Sequence, residues 1–267
     1  MHMEPIATFV KRADGAPEPS EADDSEAIRE FWRSYMTVFD ELNKCIPYRK
    51  TVERHIHWLD PKPGELCFDA GCGTGNLSQV LADTGARVEG VDFCEVSLKQ
   101  ARRKVPTGKF RYADLREPLP YETARFDKIG SCLVMHLLDR RSQSFALREC
   151  ARVLKPGGTI AISGFARFFR PLGPFKGYAS TFAEWVRAMN PVGGTAYAIK
   201  NLKGTAQIFY YIWQIMGREK RGLYDFFSRA ALNDMFQHAG LQMTEYEPAF
   251  AGQCVLAVAR KPHPAQS

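Results

Sequence analysis

Glu65-Leu-Cys-Phe-Asp-Ala-Gly-Cys-Gly-Thr-Gly75 is the stretch whose reading decides the fold. Leu66, Cys67 and Phe68 form a short apolar run of strand character, and Gly71, Gly73 and Gly75 follow at alternate positions. The spacing of Leu77, Val80 and Leu81 then predicts a helix starting near Asn76. Glycine accepts positive φ and lets a ligand come close to the backbone. The amides that open the helix point at whatever occupies the turn. Asp69 ends the strand and puts a carboxylate beside the same crevice.

Working outward, the same rhythm recurs. Ala86-Arg-Val-Glu-Gly-Val-Asp92 reads as a second strand ending in an acid. A helix follows over Val96, Leu98 and Ala101, closed by Arg102, Arg103 and Lys104, where cations suit the helix dipole. Lys109-Phe-Arg-Tyr-Ala-Asp114-Leu115 reads as a third strand with an acid at its end. Phe126 to Leu138 reads as a fourth strand and its turn. A helix from Ser142 to Leu154, the Leu154-Lys-Pro-Gly-Gly158 turn and a fifth strand, Thr159 to Ser163, come next. Ser228 to Gly240 reads as a helix stopped by its glycine. Leu241 to Phe250 and Gln253 to Ala259 then form a strand pair.

A dinucleotide-binding turn reads G-x-G-x-x-G. Here the glycines stand at 71, 73 and 75, with an acid two places before the first. Asp69-Ala-Gly-Cys-Gly-Thr-Gly75, the three strand-end acids and the LKPGG turn resemble the motifs of class I S-adenosylmethionine (SAM)-dependent methyltransferases, over roughly Tyr35 to Lys261. The resemblance implies an α/β fold: a seven-stranded, mostly parallel, doubly wound sheet with an antiparallel C-terminal strand pair, an N-terminal helical lid and a helical insertion after the fifth strand. It implies SAM as cofactor, bound by Asp69, Ala70, Gly71, Cys72, Gly73 and Gly75. Asp92 takes the ribose hydroxyls and Phe93 stacks on the adenine. Asp114 takes the adenine amino group between the backbone of Ala113 and Leu115, and Cys132 and Leu133 sit near the methionine part.

The chain of 267 residues, 45% apolar and 25% charged, is long enough for one sizeable core. We expect an acidic tail over 1–24, a helical lid over 25–60, a SAM-binding core over 61–165, an insertion over 166–222, the remainder of the core over 223–261 and a short tail over 262–267. The seven scattered cysteines show no C-x-x-C pair, so neither zinc nor a disulfide framework is expected, and reduced thiols fit a cytoplasmic location. No apolar run has the length of a bilayer span.

Charge is unevenly placed within the net of +6. Residues 1–30 hold eight acids against Lys11, Arg12 and Arg29, whereas 166–222 hold nine Lys/Arg against Glu184 and Glu219. This late segment is also aromatic, and Thr181 to Met189 and Gly204 to Met216 read as helical. Three readings stand side by side: a cap over the acceptor pocket, which we prefer; a helical excursion packed for stability; and a membrane-surface patch of mixed aromatics and bases.

Methyl transfer from a sulfonium is an in-line displacement in which alignment and water exclusion do most of the work. His136 and Tyr35 are the candidate catalytic side chains, His136 as a general base and Tyr35 as a lid aromatic reaching cofactor or substrate; both also have a packing reading. The fourth strand ends Ser131-Cys-Leu-Val, not the Asn/Asp-Pro-Pro-Tyr used on amide or adenine nitrogens, and there is no Pro-Cys pair for cytosine carbon. These features favour a small apolar or aromatic acceptor over nucleic acid. An RNA substrate on the basic insertion and a non-catalytic SAM- or partner-binding subunit remain as alternatives.

Overall fold

The computed structural model describes residues 21–167 and 191–263. Seven strands form one sheet: β1 (Leu66–Ala70), β2 (Arg87–Asp92), β3 (Lys109–Tyr112), β4 (Phe126–Cys132), β5 (Leu154–Phe165), β6 (Gln242–Ala249) and β7 (Cys254–Arg260). Their order is β3-β2-β1-β4-β5-β7-β6. The first five are parallel, β7 runs antiparallel to β5, and β6 antiparallel to β7. The expected architecture is therefore the observed one.

The helices are α1 (Glu21–Met36), α2 (Ile46–Leu59), α3 (Asn76–Asp83), α4 (Glu95–Lys104), α5 (Arg140–Val153), α6 (Pro191–Lys220) and α7 (Arg229–His238). A 3₁₀ turn, Phe39–Lys44, joins α1 to α2. Both sheet faces are covered, as a parallel sheet requires. Successive residues of β1 show it: Cys67 packs with Leu59, Leu77 and Leu81 on one side, and Phe68 with Phe126, Ile129 and Leu147 on the other.

Several boundaries differ from expectation. Helix α1 begins at Glu21, not Ser25. Helix α5 begins at Arg140 because Asp139 caps it, accepting from the Ser142 amide at 3.0 Å. β3 ends at Tyr112, two residues before Asp114. The helix expected over Gly204 to Met216 is part of a single 30-residue helix, α6. Gly204 lies within it, against the Glu41 side chain of the 3₁₀ turn. The helix expected over Thr181 to Met189 lies outside the described residues. Among the described residues no helix is long and apolar enough to cross a membrane.

The chain winds β1-β2-β3 in one direction and then returns to place β4 on the other side of β1. That reversal opens a crevice at the carboxyl ends of β1 and β4, where open α/β sheets bind ligands. The glycine turn follows β1, and a turn with Leu133 at φ 59 follows β4. Both face this crevice.

Candidate active site

A cavity with about 1290 Å³ of empty space, mouth included, occupies the crevice. Its floor is made by the strand ends and the turns after them: Asp69 of β1 with Gly71, Cys72 and Gly73, Asp92 of β2 with Phe93, Ala113, Asp114 and Leu115 after β3, and Cys132 of β4 with Leu133. Two expected residues do not line it. Ala70 is buried within the sheet, its carbonyl accepting from Ser131 Oγ at 2.9 Å. Gly75 backs onto α4, where a Cβ would lie 2.9 Å from Ala101 Cα.

The three turn glycines thus have three different reasons. Gly71 (φ 75) makes room for Val134, whose Cγ1 would lie 2.4 Å from an added Cβ. Gly75 makes room for α4. Gly73 (φ 50) has free space on its cavity side, with Met36 Sδ at 4.0 Å as the nearest atom to an added Cβ.

The acids also separate. Asp69 Oδ2 accepts from Ser78 Oγ at 2.6 Å, so this carboxylate secures the first turn of α3 as well as facing the cavity. Burial pushes Asp69 up to about 7, with Ser78 opposing and the charge of Asp92 adding to the rise. Asp92 accepts from the Gly73 amide through Oδ2 and the Cys94 amide through Oδ1, both at 2.9 Å. Each oxygen is thereby aimed and keeps a second lone pair for a ligand hydroxyl. Burial pushes Asp92 up to about 6, despite those two amides. Asp114 is held by Arg116, whose Nη2 donates to Oδ2 at 2.6 Å and whose own amide donates to Oδ1 at 2.9 Å. Burial raises the Asp114 carboxyl, but Arg116 outweighs it and holds it below its ordinary range.

A polar network ties the 3₁₀ turn Phe39–Lys44 to this floor. Lys104 Nζ donates to Asp40 Oδ1 at 2.7 Å and to Asn76 Oδ1 at 2.5 Å, and Thr74 Oγ1 donates to Asp40 Oδ1 at 2.6 Å. Asn43 Nδ2 also donates to Asn76 Oδ1, at 3.0 Å. With its oxygen so occupied, Asn76 turns its Nδ2 to the Tyr48 hydroxyl, at 3.1 Å. The sequence pointed to Lys104 only as a dipole partner. Its reach back to the 3₁₀ turn depends on a fold-dependent contact, as do the roles of Thr74, Asn76 and Tyr48.

Opposite the floor the walls are apolar. Trp32, Tyr35 and Met36 come from α1, Ile212 and Ile215 from α6, and Leu137, Leu138, Phe165 and Phe250 from the far side. Tyr35 stacks on Tyr211 of α6, centroids 4.7 Å apart, and burial drives its hydroxyl well above the ordinary range. Phe93 meets Trp32 edge to face at 6.4 Å. His136 is the polar exception on this side. It is 1% exposed and packed among Phe165, Phe226 and Phe227. Neither ring nitrogen has a partner. Burial lowers it to about 3, so the imidazole is neutral at physiological pH.

This geometry, a glycine turn with an aimed acid at the end of β2, can be set beside known proteins. Residues 68–162 match the family model described as a methyltransferase domain. The ubiquinone biosynthesis O-methyltransferase of Bordetella avium is 30% identical over 188 residues, 67% of this chain and 72% of that relative. The chain belongs to the class I SAM-dependent methyltransferases. With the ubiquinone biosynthesis O-methyltransferase of Idiomarina loihiensis, identity is 33% over 157 residues, 56% of this chain, and the match spans 62% of that relative's length. Among solved structures, the Burkholderia thailandensis 1,6-didemethyltoxoflavin-N1-methyltransferase superposes with a TM-score of 0.58 at 18% identity, over 93% of each chain. The methyltransferase family takes SAM as its methyl donor, and the site fits it. The backbone at Gly73 is open to close approach, Asp92 presents aimed lone pairs, and the two raised acids favour a cationic ligand that brings hydrogen-bond donors.

Proposed function

We propose that this methyltransferase methylates a small apolar, aromatic acceptor by in-line displacement. The observation that carries the reading is the composition of the cavity wall across from the strand ends. Phe165, Ile212, Ile215 and Phe250 make it apolar, and His136 stands within it with both nitrogens buried and unpartnered. An apolar wall of this kind selects a flat apolar molecule. The relatives named for ubiquinone biosynthesis and the toxoflavin enzyme support an acceptor of this class.

SAM, when bound, supplies an activated methyl group on a sulfonium. The chain's task is alignment. Asp92, Gly73 and the β3 turn hold the donor against the floor; Ile212, Ile215 and Phe165 hold the acceptor against the opposite wall. Tyr35, Trp32 and Met36 close over both and exclude water. An acceptor hydroxyl acidic enough to enter as its anion, its proton already lost to water, needs no protein base. His136, its basicity lowered to about 3 by burial, packs within the acceptor wall and takes no proton. Tyr35, buried and hard to ionise, closes the site and takes no proton.

The test is methyl-labelled SAM offered with a hydroxylated quinone, a simple amine and bulk RNA. Label in the quinone supports the proposal, with Phe165→Ala raising KM for it more than it changes SAM affinity. Label in RNA, or none in any small acceptor, overturns it.

A further inference from the structure

Helix α6 has two opposed faces, and the cavity uses one. Ile208, Ile212 and Ile215 are buried and lie on one side. Turned through half a circle at 100° per residue, the other side presents Lys203, Tyr210, Trp213, Gly217 and Lys220. Trp213 is 70% exposed and Tyr210 55%. Four large hydrophobic side chains are exposed among the described residues, and three of them, Tyr210, Trp213 and Leu223, belong to this helix and the turn after it. Such clustering marks a contact surface, where scattered single residues would not.

The charges around those rings are of one sign. Lys203 stands at one end of the stripe, Lys220 and Arg221 at the other, and no described residue from 203 to 223 that is exposed is acidic. None of the three cations forms a described ion pair. The stripe runs about 27 Å along the helix. Tryptophan and tyrosine suit the headgroup level of a bilayer, and lysine and arginine flanking them are drawn to anionic lipid. A Gly217 position with nothing within 4 Å of an added Cβ keeps the surface low between Trp213 and Lys220.

We propose that the outward face of α6 docks on an anionic membrane surface. The helix is then the partition between the bilayer and the acceptor cavity, its aromatic-basic side on lipid and its isoleucine side on the acceptor. Resting on the apolar acceptor reading above, this narrows the acceptor to one resident in, or delivered from, the membrane.

Vesicle co-sedimentation of the full chain tests the docking without any acceptor, so its outcome is independent of what is methylated. The chain binds phosphatidylcholine vesicles carrying about a third phosphatidylglycerol, binds pure phosphatidylcholine about tenfold less, and loses most binding at high salt. The Tyr210→Ser/Trp213→Ser variant and the Lys220→Glu/Arg221→Glu variant each weaken vesicle binding about tenfold. Their SAM affinity stays as in the parent chain, which shows them folded. Failure of the chain to sediment with anionic vesicles at low salt overturns the proposal. So does equal binding by the variants, or retention of transfer RNA by this face with none of the vesicles.

Discussion

The two halves of the cavity differ in how they are assembled. The donor half comes from four turns, each closing a parallel strand, and each turn is a contiguous piece of chain: 69–73, 92–93, 113–115 and 132–133. The acceptor half gathers Trp32 and Tyr35, Leu137 and Leu138, Phe165, Ile212 and Ile215, and Phe250, positions more than two hundred residues apart. On the proposed reading, donor recognition is fixed by local backbone geometry and the sheet register, acceptor recognition by long-range helix packing. The first carries two acids, Asp69 buried and Asp92 half-buried; the second is apolar with one neutral histidine.

The largest effect expected from this contrast is at Asp92. On the proposed binding mode Asp92→Ala removes the acceptors for two ligand hydroxyls, each bond to a charged group contributing about 1.5–3 kcal/mol. SAM affinity should fall about a hundredfold or more by calorimetry, while acceptor-wall variants leave it within about twofold. The converse is Ile212→Ala with Ile215→Ala. It should lower kcat/KM for the acceptor about tenfold through lost apolar contact, with SAM affinity unchanged. If both variants moved both ligands equally, the halves would not be separate.

Next comes pH. The carboxyls of Asp92 and Asp69 are raised from an ordinary 3.8 to about 6 and about 7. A raised acid stabilises the fold fully below its ordinary value, and that contribution is lost as pH climbs through the raised one. The ligand-free protein should therefore lose stability between about pH 4 and pH 7 from these two groups. A cationic, donor-bearing ligand favours their ionised forms, so the rise in Tm caused by SAM should grow several-fold from about pH 5 to pH 8. Asp92→Asn should flatten that slope. A SAM effect that shrinks with rising pH would contradict the assignment.

The smallest effect concerns the seam between the halves. Lys104→Met breaks the bonds to Asp40 and Asn76 that hold the 3₁₀ turn on the floor. SAM should dissociate a few-fold faster by stopped flow, with little change in Tm, because Lys104 is part-exposed.

How far this was legible in the sequence follows the same division. The strand-turn-helix units and the place of Asp92 at a strand end could be read because strand periodicity, glycine spacing and strand-end acids are local signals, whereas the seven-stranded doubly wound sheet followed from the family resemblance. The glycines could be read as a turn, but not as three separate packing solutions, since the partners of Gly71 and Gly75, Val134 and Ala101, are remote. Asp69 was read as facing the crevice; its bond to Ser78 depends on where α3 starts. Helix α6 extends on both sides of the expected Gly204 to Met216, from Pro191 to Lys220. His136 and Tyr35 stood out by residue type, yet their aromatic surroundings, which set their ionisation, come from Phe165, Phe226, Phe227 and Tyr211 across the fold.

The most direct measurement is a crystal structure of the chain with S-adenosylhomocysteine. The account predicts the ribose hydroxyls on Asp92, the backbone of Gly73 against the ligand, and the sulfur facing the wall of Phe165, His136 and Ile212. A ligand bound elsewhere, or a sulfur turned away from that wall, would contradict it.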